Sequence, residues 1–93
     1  MLKSELFQHS YCIFVKEVPD QILQKVRDYG IPSIKVLKAT FEDNFFCIVF
    51  PCHLTFRIYE KELFDIYDKL GIKSGFHGQL TMGYLGKTWE VVE

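Results

Sequence analysis

The stretch YCIFVKEVPDQILQKVRDYG, residues 11–30, contains a predicted strand followed directly by a predicted helix. Its first part, Tyr11–Val18, is rich in β-branched and aromatic residues that alternate between two faces, which indicates a strand. Pro19 and Asp20 are typical of a first helical turn, because proline lacks an N–H and a carboxylate faces the positive end of the helix dipole. Apolar residues then recur at helical spacing until Gly30, which is a common helix C-cap. The sequence therefore predicts a strand and an amphipathic helix in this order.

Two further segments predict a β-hairpin. Residues 33–41 read SIKVLKATF and residues 45–50 read FFCIVF, and both are rich in strand-forming side chains. Glu42, Asp43 and Asn44 lie between these segments and have side chains that turns favour. The chain is therefore expected to fold back on itself there and to form two antiparallel strands.

A second helix is predicted at residues 59–70. Apolar residues recur at helical spacing in YEKELFDIYDKL, from Tyr59 to Leu70, and Gly71 suits the C-terminal cap. The residues before this helix, 51–58, read PCHLTFRI and fit a loop, a short strand or an early helical turn. The sequence leaves these three alternatives open.

The C-terminal quarter of the chain shows weaker patterns. Residues 73–78 contain two glycines and a serine, which predicts a loop. Residues 79–84 and 88–92 look extended around Gly86. This part of the chain is therefore expected to form one strand or a hairpin.

The order of these elements, β-α-β-β-α-β, predicts one α+β domain over residues 1–93. This order is typical of a ferredoxin-like sandwich, in which two helices pack on one face of an antiparallel sheet. Each predicted helix carries one apolar stripe, so a single sheet face can receive both. The predicted core between helices and sheet consists of Ile13, Val15, Ile22, Val26, Ile48, Phe50, Leu63 and Ile66.

Composition limits the function classes. Hydrophobic residues make up 48% of the chain and charged residues 25%, which is typical of a globular domain. The net charge of -1 provides no overall positive field and argues against non-specific nucleic-acid binding. No stretch reaches the roughly 20 apolar residues that cross a bilayer, and Met1–Ser10 lacks the apolar core of a signal peptide. The three cysteines are an odd number, so free thiols and a cytoplasmic location are expected, with no membrane partner.

Strand alternation predicts a second apolar face on the sheet. Residues phased opposite to the predicted core on the first and third strands are also apolar or aromatic. A terminal segment, residues 51–58 or a second copy of the chain would cover this face, or a partner would bind to it. The predicted partner-binding residues are Phe14, Phe45, Cys47, Val49 and Lys16.

Two segments carry a resemblance to a known family. IFVKEVP at residues 13–19 and DNFFCIVF at residues 43–50 resemble the first and third strands of an RNA recognition motif domain. The resemblance implies a ferredoxin-like fold and binding of single-stranded RNA. Phe14 and Phe45 match base-stacking aromatics, and Cys47 matches a third such position.

The same segments depart from the family pattern at three positions. Asp43 replaces a basic residue, Asn44 replaces a glycine, and Cys47 replaces a stacking aromatic. Each departure weakens base stacking or contact with phosphate. Because one fold supports many functions, the resemblance favours the fold over the ligand.

Histidines and cysteines suggest chemical alternatives that the pattern does not favour. The candidate zinc ligands are His9, Cys12, Cys47, Cys52 and His53. They contain no C-x-x-C pair, and buried free cysteine is a common small hydrophobe. A thiol enzyme would need Cys47 or Cys52 beside His53 or His77, and the sequence does not fix that geometry. We therefore predict no catalytic residue, no metal and no cofactor.

Four acidic residues on the second predicted helix form a secondary candidate surface. They are Glu60, Glu62, Asp65 and Asp68. With Lys61 and Lys69 among them, they most simply form a solvated face. A basic protein partner would be attracted to the same carboxylates.

These observations predict a small non-enzymatic module that binds a protein partner as an inhibitor or adaptor, either as a monomer or as a homodimer. Small domains without catalytic motifs are frequent among phage and mobile-element products, so inhibition of a host defence nuclease is one form of the hypothesis. Single-stranded RNA binding is the alternative function. A thiol-dependent or metal-dependent enzyme is the third.

Overall fold

The computed structural model describes residues 2–3, 11–72, 74–79 and 87–92, and describes 2–3 and 74–79 by their backbone alone. Two helices and six strands alternate along this part of the chain. In chain order they are β1 (Leu2–Lys3), β2 (Tyr11–Val15), α1 (Asp20–Tyr29), β3 (Lys35–Ala39), β4 (Phe46–Phe50), α2 (His53–Leu70), β5 (Ser74–Gln79) and β6 (Thr88–Val91).

The described strands form one antiparallel sheet in the order β1-β6-β3-β4-β2-β5. Helix α1 connects β2 to β3, and β4 lies between these two strands. Helix α2 connects β4 to β5, and β2 lies between them. Strands β6 and β1 extend the sheet beyond β3. The protein is therefore an α+β domain with an antiparallel sheet and two helices.

The ends of both helices follow from their sequence. Pro19 is the N-cap of α1, and Asp20 is its first residue. Gly30 adopts a left-handed conformation with φ of 65°, and its N–H donates to the carbonyl of Arg27. Gly71 ends α2 in the same way, with φ of 70°. A side chain at either glycine would be strained in this conformation, which explains why both helices stop where the sequence predicts.

Helix α2 begins six residues earlier than the predicted start at Tyr59, at His53. The undecided segment 51–58 is therefore mostly helical. Phe56 shows why, because it packs against Phe50 with ring centroids 5.6 Å apart and continues the buried stripe formed by Leu63 and Tyr67. Neither described helix is long and apolar enough to cross a membrane.

The C-terminal quarter differs from the prediction. Residues 74–79 form strand β5 instead of a loop. This strand contains two glycines, but it pairs with the edge of β2, which supplies partners for its backbone hydrogen bonds. Thr88–Val91 is a strand as predicted, but it pairs with β3 and β1. Strands β5 and β6 are thus not the two arms of a hairpin. Of the predicted extended segment 79–84, residues 80–84 lie outside the described part of the chain.

Both helices pack on the same face of the sheet. All predicted core residues belong to this cluster, with Ile66 only partly buried. Ile34, Val36, Phe56 and Tyr67 complete its buried members. The Tyr67 hydroxyl donates a hydrogen bond of 2.8 Å to the carbonyl of Glu17, which ties α2 to the end of β2. Alternation along β2 and β4 therefore correctly identifies the face that the helices cover.

Candidate partner-binding surfaces

The sheet face opposite the helices carries a second buried cluster, which we call the second core. It consists of Cys12, Phe14, Leu37, Ala39, Cys47, Val49 and Trp89, with Phe45 partly buried beside it. Four of the five predicted site residues, Phe14, Phe45, Cys47 and Val49, belong to this cluster or pack against it, and the register pairs Phe14 with Cys47 and Cys12 with Val49. The Phe14 and Phe45 rings are stacked, with centroids 5.6 Å apart.

Three of the predicted binding residues are buried on this face. Phe14 is 3% exposed, and Cys47 and Val49 are each 1% exposed. Trp89 of β6, the largest fully buried side chain in the described part of the chain, belongs to the same cluster. In the folded protein, Phe14, Cys47 and Val49 pack inside the second core. The assignment of this group to a partner stays a prediction.

The rim of the second core remains accessible. Phe45 is half-buried and Lys16 is exposed. Phe41 is 37% exposed and stands edge-on to Trp89, at a centroid distance of 5.1 Å. The ammonium of Lys87 lies 5.5 Å from the Phe41 ring centroid, within the range of a cation–π contact. Of the predicted binding residues, Phe45 and Lys16 are therefore the ones that are at least partly accessible to solvent.

The predicted acidic surface divides into two kinds of residue. Glu60 forms an ion pair of 3.2 Å with Arg57, one turn earlier on α2. Glu62 accepts a hydrogen bond of 2.6 Å from the Tyr29 hydroxyl. Asp65 and Asp68 are exposed. Glu62, Asp65 and Asp68 are thus exposed, whereas Glu60 is partly buried.

Glu62 connects the two helices. Besides the Tyr29 hydrogen bond, its carboxylate lies 3.4 Å from the ammonium of Lys25 on α1. The Tyr29 hydrogen bond and then Lys25 lower the pKa of Glu62 below 4.5. Burial, and secondarily Glu62, raises the pKa of Tyr29. The contacts therefore favour the ionised carboxylate together with the neutral phenol.

We expect Glu62→Gln to lower the melting temperature at neutral pH, by an amount that shrinks as the solution becomes acidic. A carboxylate whose pKa is lowered by folding stabilises the protein above its unfolded pKa, and this contribution is lost as the pH falls through the folded pKa. The difference in melting temperature between Glu62→Gln and the unmodified protein should therefore decrease below pH 4.5. Thermal melts across pH measure it, with Asp65→Asn as an exposed control. A difference that stays constant into acid would contradict the assignment.

The three cysteines are all free and occupy two environments. Cys12 and Cys47 are buried together in the second core. Burial, and secondarily contact with Cys12, raises the pKa of the Cys47 thiol. Cys52 is exposed at the N-cap of α2, and a hydrogen bond of 3.4 Å with the Thr55 hydroxyl lowers its pKa. Cys12 and Cys47 are therefore shielded from solvent, and Cys52 is the accessible thiol.

Among the described side chains, His53 does not join these thiols in a metal site. The His53 ring packs on Tyr11 with centroids 4.8 Å apart. Within residues 11–72 and 87–92, no group of three or more His, Cys, Asp or Glu residues has the spacing to hold a metal ion. His9 and the side chain of His77 lie outside what the structure describes. The zinc and thiol-enzyme alternatives thus gain no geometric support from the described residues.

Sequence reasoning missed an exposed apolar pair on α2. Leu54 is 71% exposed and Ile58 is 61% exposed. They are four residues apart, so they lie one above the other on a helix. The buried stripe of Phe56, Leu63 and Tyr67 occupies the opposite side. Helical phasing of residues 51–58 from Phe56 would have separated this pair from the core, whereas a strand interpretation groups all three residues together.

No match was found to any protein family, to any curated protein or to any solved structure.

Proposed function

We propose that this chain is a small protein-binding module that acts stoichiometrically, as an inhibitor or adaptor, without catalysing a reaction. The observation that carries the proposal is the exposed pair Leu54 and Ile58 on the solvent side of α2. Both apolar faces of the sheet already have buried clusters, so the fold does not need these two side chains for its core.

Burial energetics support a binding role for the pair. Moving an aliphatic side chain of this size from water into an apolar contact contributes about 1.5–3 kcal/mol. Exposed Arg57, Lys61 and Asp65 surround the pair on the same helix. An apolar centre with a polar rim is the usual composition of a protein interface. An i, i+4 pair on a rigid helix also matches the way helices insert into partner grooves.

The rim of the second core is a second, separate candidate surface, on the sheet face opposite the helices. Phe45 and Lys16 remain there as predicted contacts, with Phe41 beside them. Phe14 stacks under Phe45 and holds its ring in place. Asp65 and Asp68 are available to attract a basic partner, which affects association rate more than affinity.

Protein binding is favoured over RNA binding by the burial of the sheet face. Stacking on bases requires exposed rings, and Phe14 is 3% exposed. Cys47 has no ring and is 1% exposed. Asp43 is acidic, whereas the RNA recognition motif pattern has a basic residue at this position, which would contact phosphate.

A ferredoxin-like classification belongs to the same proposal. The central strands are ordered β3-β4-β2-β5, with α1 and α2 each linking strands that flank another strand. In this proposal, β6 and β1 are additions to a ferredoxin-like sheet. The three free cysteines of the protein suit a reducing compartment such as the cytoplasm.

We expect the double variant Leu54→Gln, Ile58→Gln to weaken partner binding at least about 30-fold, corresponding to about 2 kcal/mol. Its melting temperature should stay close to that of the unmodified protein, because both side chains are already exposed. The partner is first isolated by co-purification at fixed stoichiometry from the native host, and binding is then measured by calorimetry.

Val92→Gln is the control. Val92 is exposed and apolar, but it lies just beyond the end of β6 and not on α2. This variant should bind as tightly as the unmodified protein. Equal binding by all three proteins would exclude α2 as the interface. Tight, salt-sensitive binding to a single-stranded RNA oligonucleotide would favour the RNA alternative.

A further inference from the structure

Two of the three cysteines lie side by side on neighbouring strands. Cys12 is on β2 and Cys47 is on β4, and these two strands pair antiparallel in the interior of the sheet. The register places Cys12 opposite Val49 and Cys47 opposite Phe14, so the cysteines are diagonal neighbours on the face of the second core. Their side chains are in contact. The fold therefore brings two oxidisable sulfur atoms together.

The backbone positions of this pair favour a strained disulfide. Diagonal neighbours on antiparallel strands have α-carbons about 7–8 Å apart. A disulfide usually joins residues whose α-carbons are about 4.4–6.8 Å apart. A bond between Cys12 and Cys47 would therefore draw β2 and β4 together locally. Strained disulfides are more easily reduced than relaxed ones, and they are typical of regulatory bonds.

We propose that Cys12 and Cys47 are a redox pair, which a peroxide converts into a cross-strand disulfide and a small thiol such as glutathione returns to two free thiols. The peroxide first oxidises one thiol to a sulfenic acid and releases one water molecule. The other sulfur then attacks the sulfenic sulfur, so that an S–S bond forms, the S–O bond breaks and a second water leaves. The two sulfurs together lose two electrons. Glutathione reverses the change by thiol–disulfide exchange and ends as glutathione disulfide.

Burial makes this oxidation slow. Cys12 and Cys47 are shielded from solvent, and burial raises the pKa of the Cys47 thiol, so little of the reactive thiolate is present in the closed core. Peroxide therefore reaches the pair through local opening of the second core, which is a common motion of folded proteins.

The bond would change the packing of the second core. Phe14 lies opposite Cys47 and stacks under Phe45, so a local shift of β2 against β4 moves the ring that supports the accessible rim. Trp89 is the single tryptophan of the chain and belongs to the same cluster, with its ring 5.7 Å from that of Phe45. Tryptophan fluorescence therefore reports the packing of this core.

The Cys52→Ser variant tests the proposal, because it removes the exposed thiol and leaves both core cysteines unchanged. It is treated with hydrogen peroxide while circular dichroism confirms that it stays folded, and remaining thiols are then alkylated. The intact mass should fall by two hydrogen atoms. Tryptic peptides 4–16 and 39–57 should be linked. Trp89 emission should change on oxidation, and glutathione should restore both the mass and the emission.

Cys12→Val, Cys52→Ser is the matched control, since valine is a small hydrophobic replacement for a buried thiol. It should show neither the linked peptides nor the loss of two hydrogens. An unchanged mass of the Cys52→Ser protein, or a gain of oxygen atoms without linked peptides, would overturn the proposal. A link that forms only after the protein unfolds, or that glutathione does not reduce, would overturn it as well. Constant Trp89 emission while the link forms would contradict the effect on the second core.

Discussion

Phe50→Ala is expected to destabilise the protein by about 3–5 kcal/mol, the usual cost of removing a buried aromatic side chain. Phe50 is fully buried on β4, which lies between β2 and β3 in the sheet, and its ring packs edge-on against Phe56 of α2. The change therefore removes contacts between the sheet and the longer helix. Because small domains have a total stability of about 5–15 kcal/mol, a loss of this size removes a large part of the free energy of unfolding.

Chemical denaturation with urea measures this loss as a change in the free energy of unfolding. Phe50→Leu is the matched control, since a smaller change in volume usually costs less than about 1.5 kcal/mol. Equal stability of Phe50→Ala and the unmodified protein would contradict the place of Phe50 in the helix-side core.

The helix-side half of the fold is predictable because its signals are local. Pro19 and Gly30 mark the ends of α1 within one short segment, and both act through backbone conformation. Alternation along β2 and β4 identifies the buried face for a similar reason, since neighbouring side chains on a strand point in opposite directions. Asn44, with φ of 53°, adopts the left-handed conformation in the turn that the sequence suggested.

The parts that the sequence did not predict depend on contacts between distant segments. Strand β5 contains two glycines, and its pairing with β2 determines its conformation more than its own propensity does. The start of α2 is set by contact between Phe56 and Phe50. Trp89 enters the second core because β6 pairs with β3, which no local pattern near Trp89 reveals.

The candidate site shows the same division. Alternation correctly grouped Phe14, Phe45, Cys47 and Val49 on one face. It gave no information on whether that face is covered, because a side-chain direction does not specify what lies above it. The exposed pair on α2 was missed for a different reason, which is that residues 51–58 had no assigned period.

The second core leads to the other large expected effect. Phe14→Ala should destabilise the protein by about 3–5 kcal/mol, because Phe14 is 3% exposed and stacks on Phe45. Phe45→Ala should cost clearly less, about 1–2 kcal/mol, since Phe45 is only half-buried and its ring keeps contact with solvent. The two rings are chemically identical and adjacent, so burial is the main difference that the two variants report.

Urea denaturation of both variants, followed by partner binding under conditions where each is folded, separates two roles for this face. A large loss of stability for Phe14→Ala, with binding reduced mainly by Phe45→Ala, is expected if Phe14 supports the rim from within. Near-native stability of Phe14→Ala combined with lost binding would contradict this assignment. Phe14 would then contact the partner directly, which requires that the second core opens when the partner binds, because its ring is buried in the free protein.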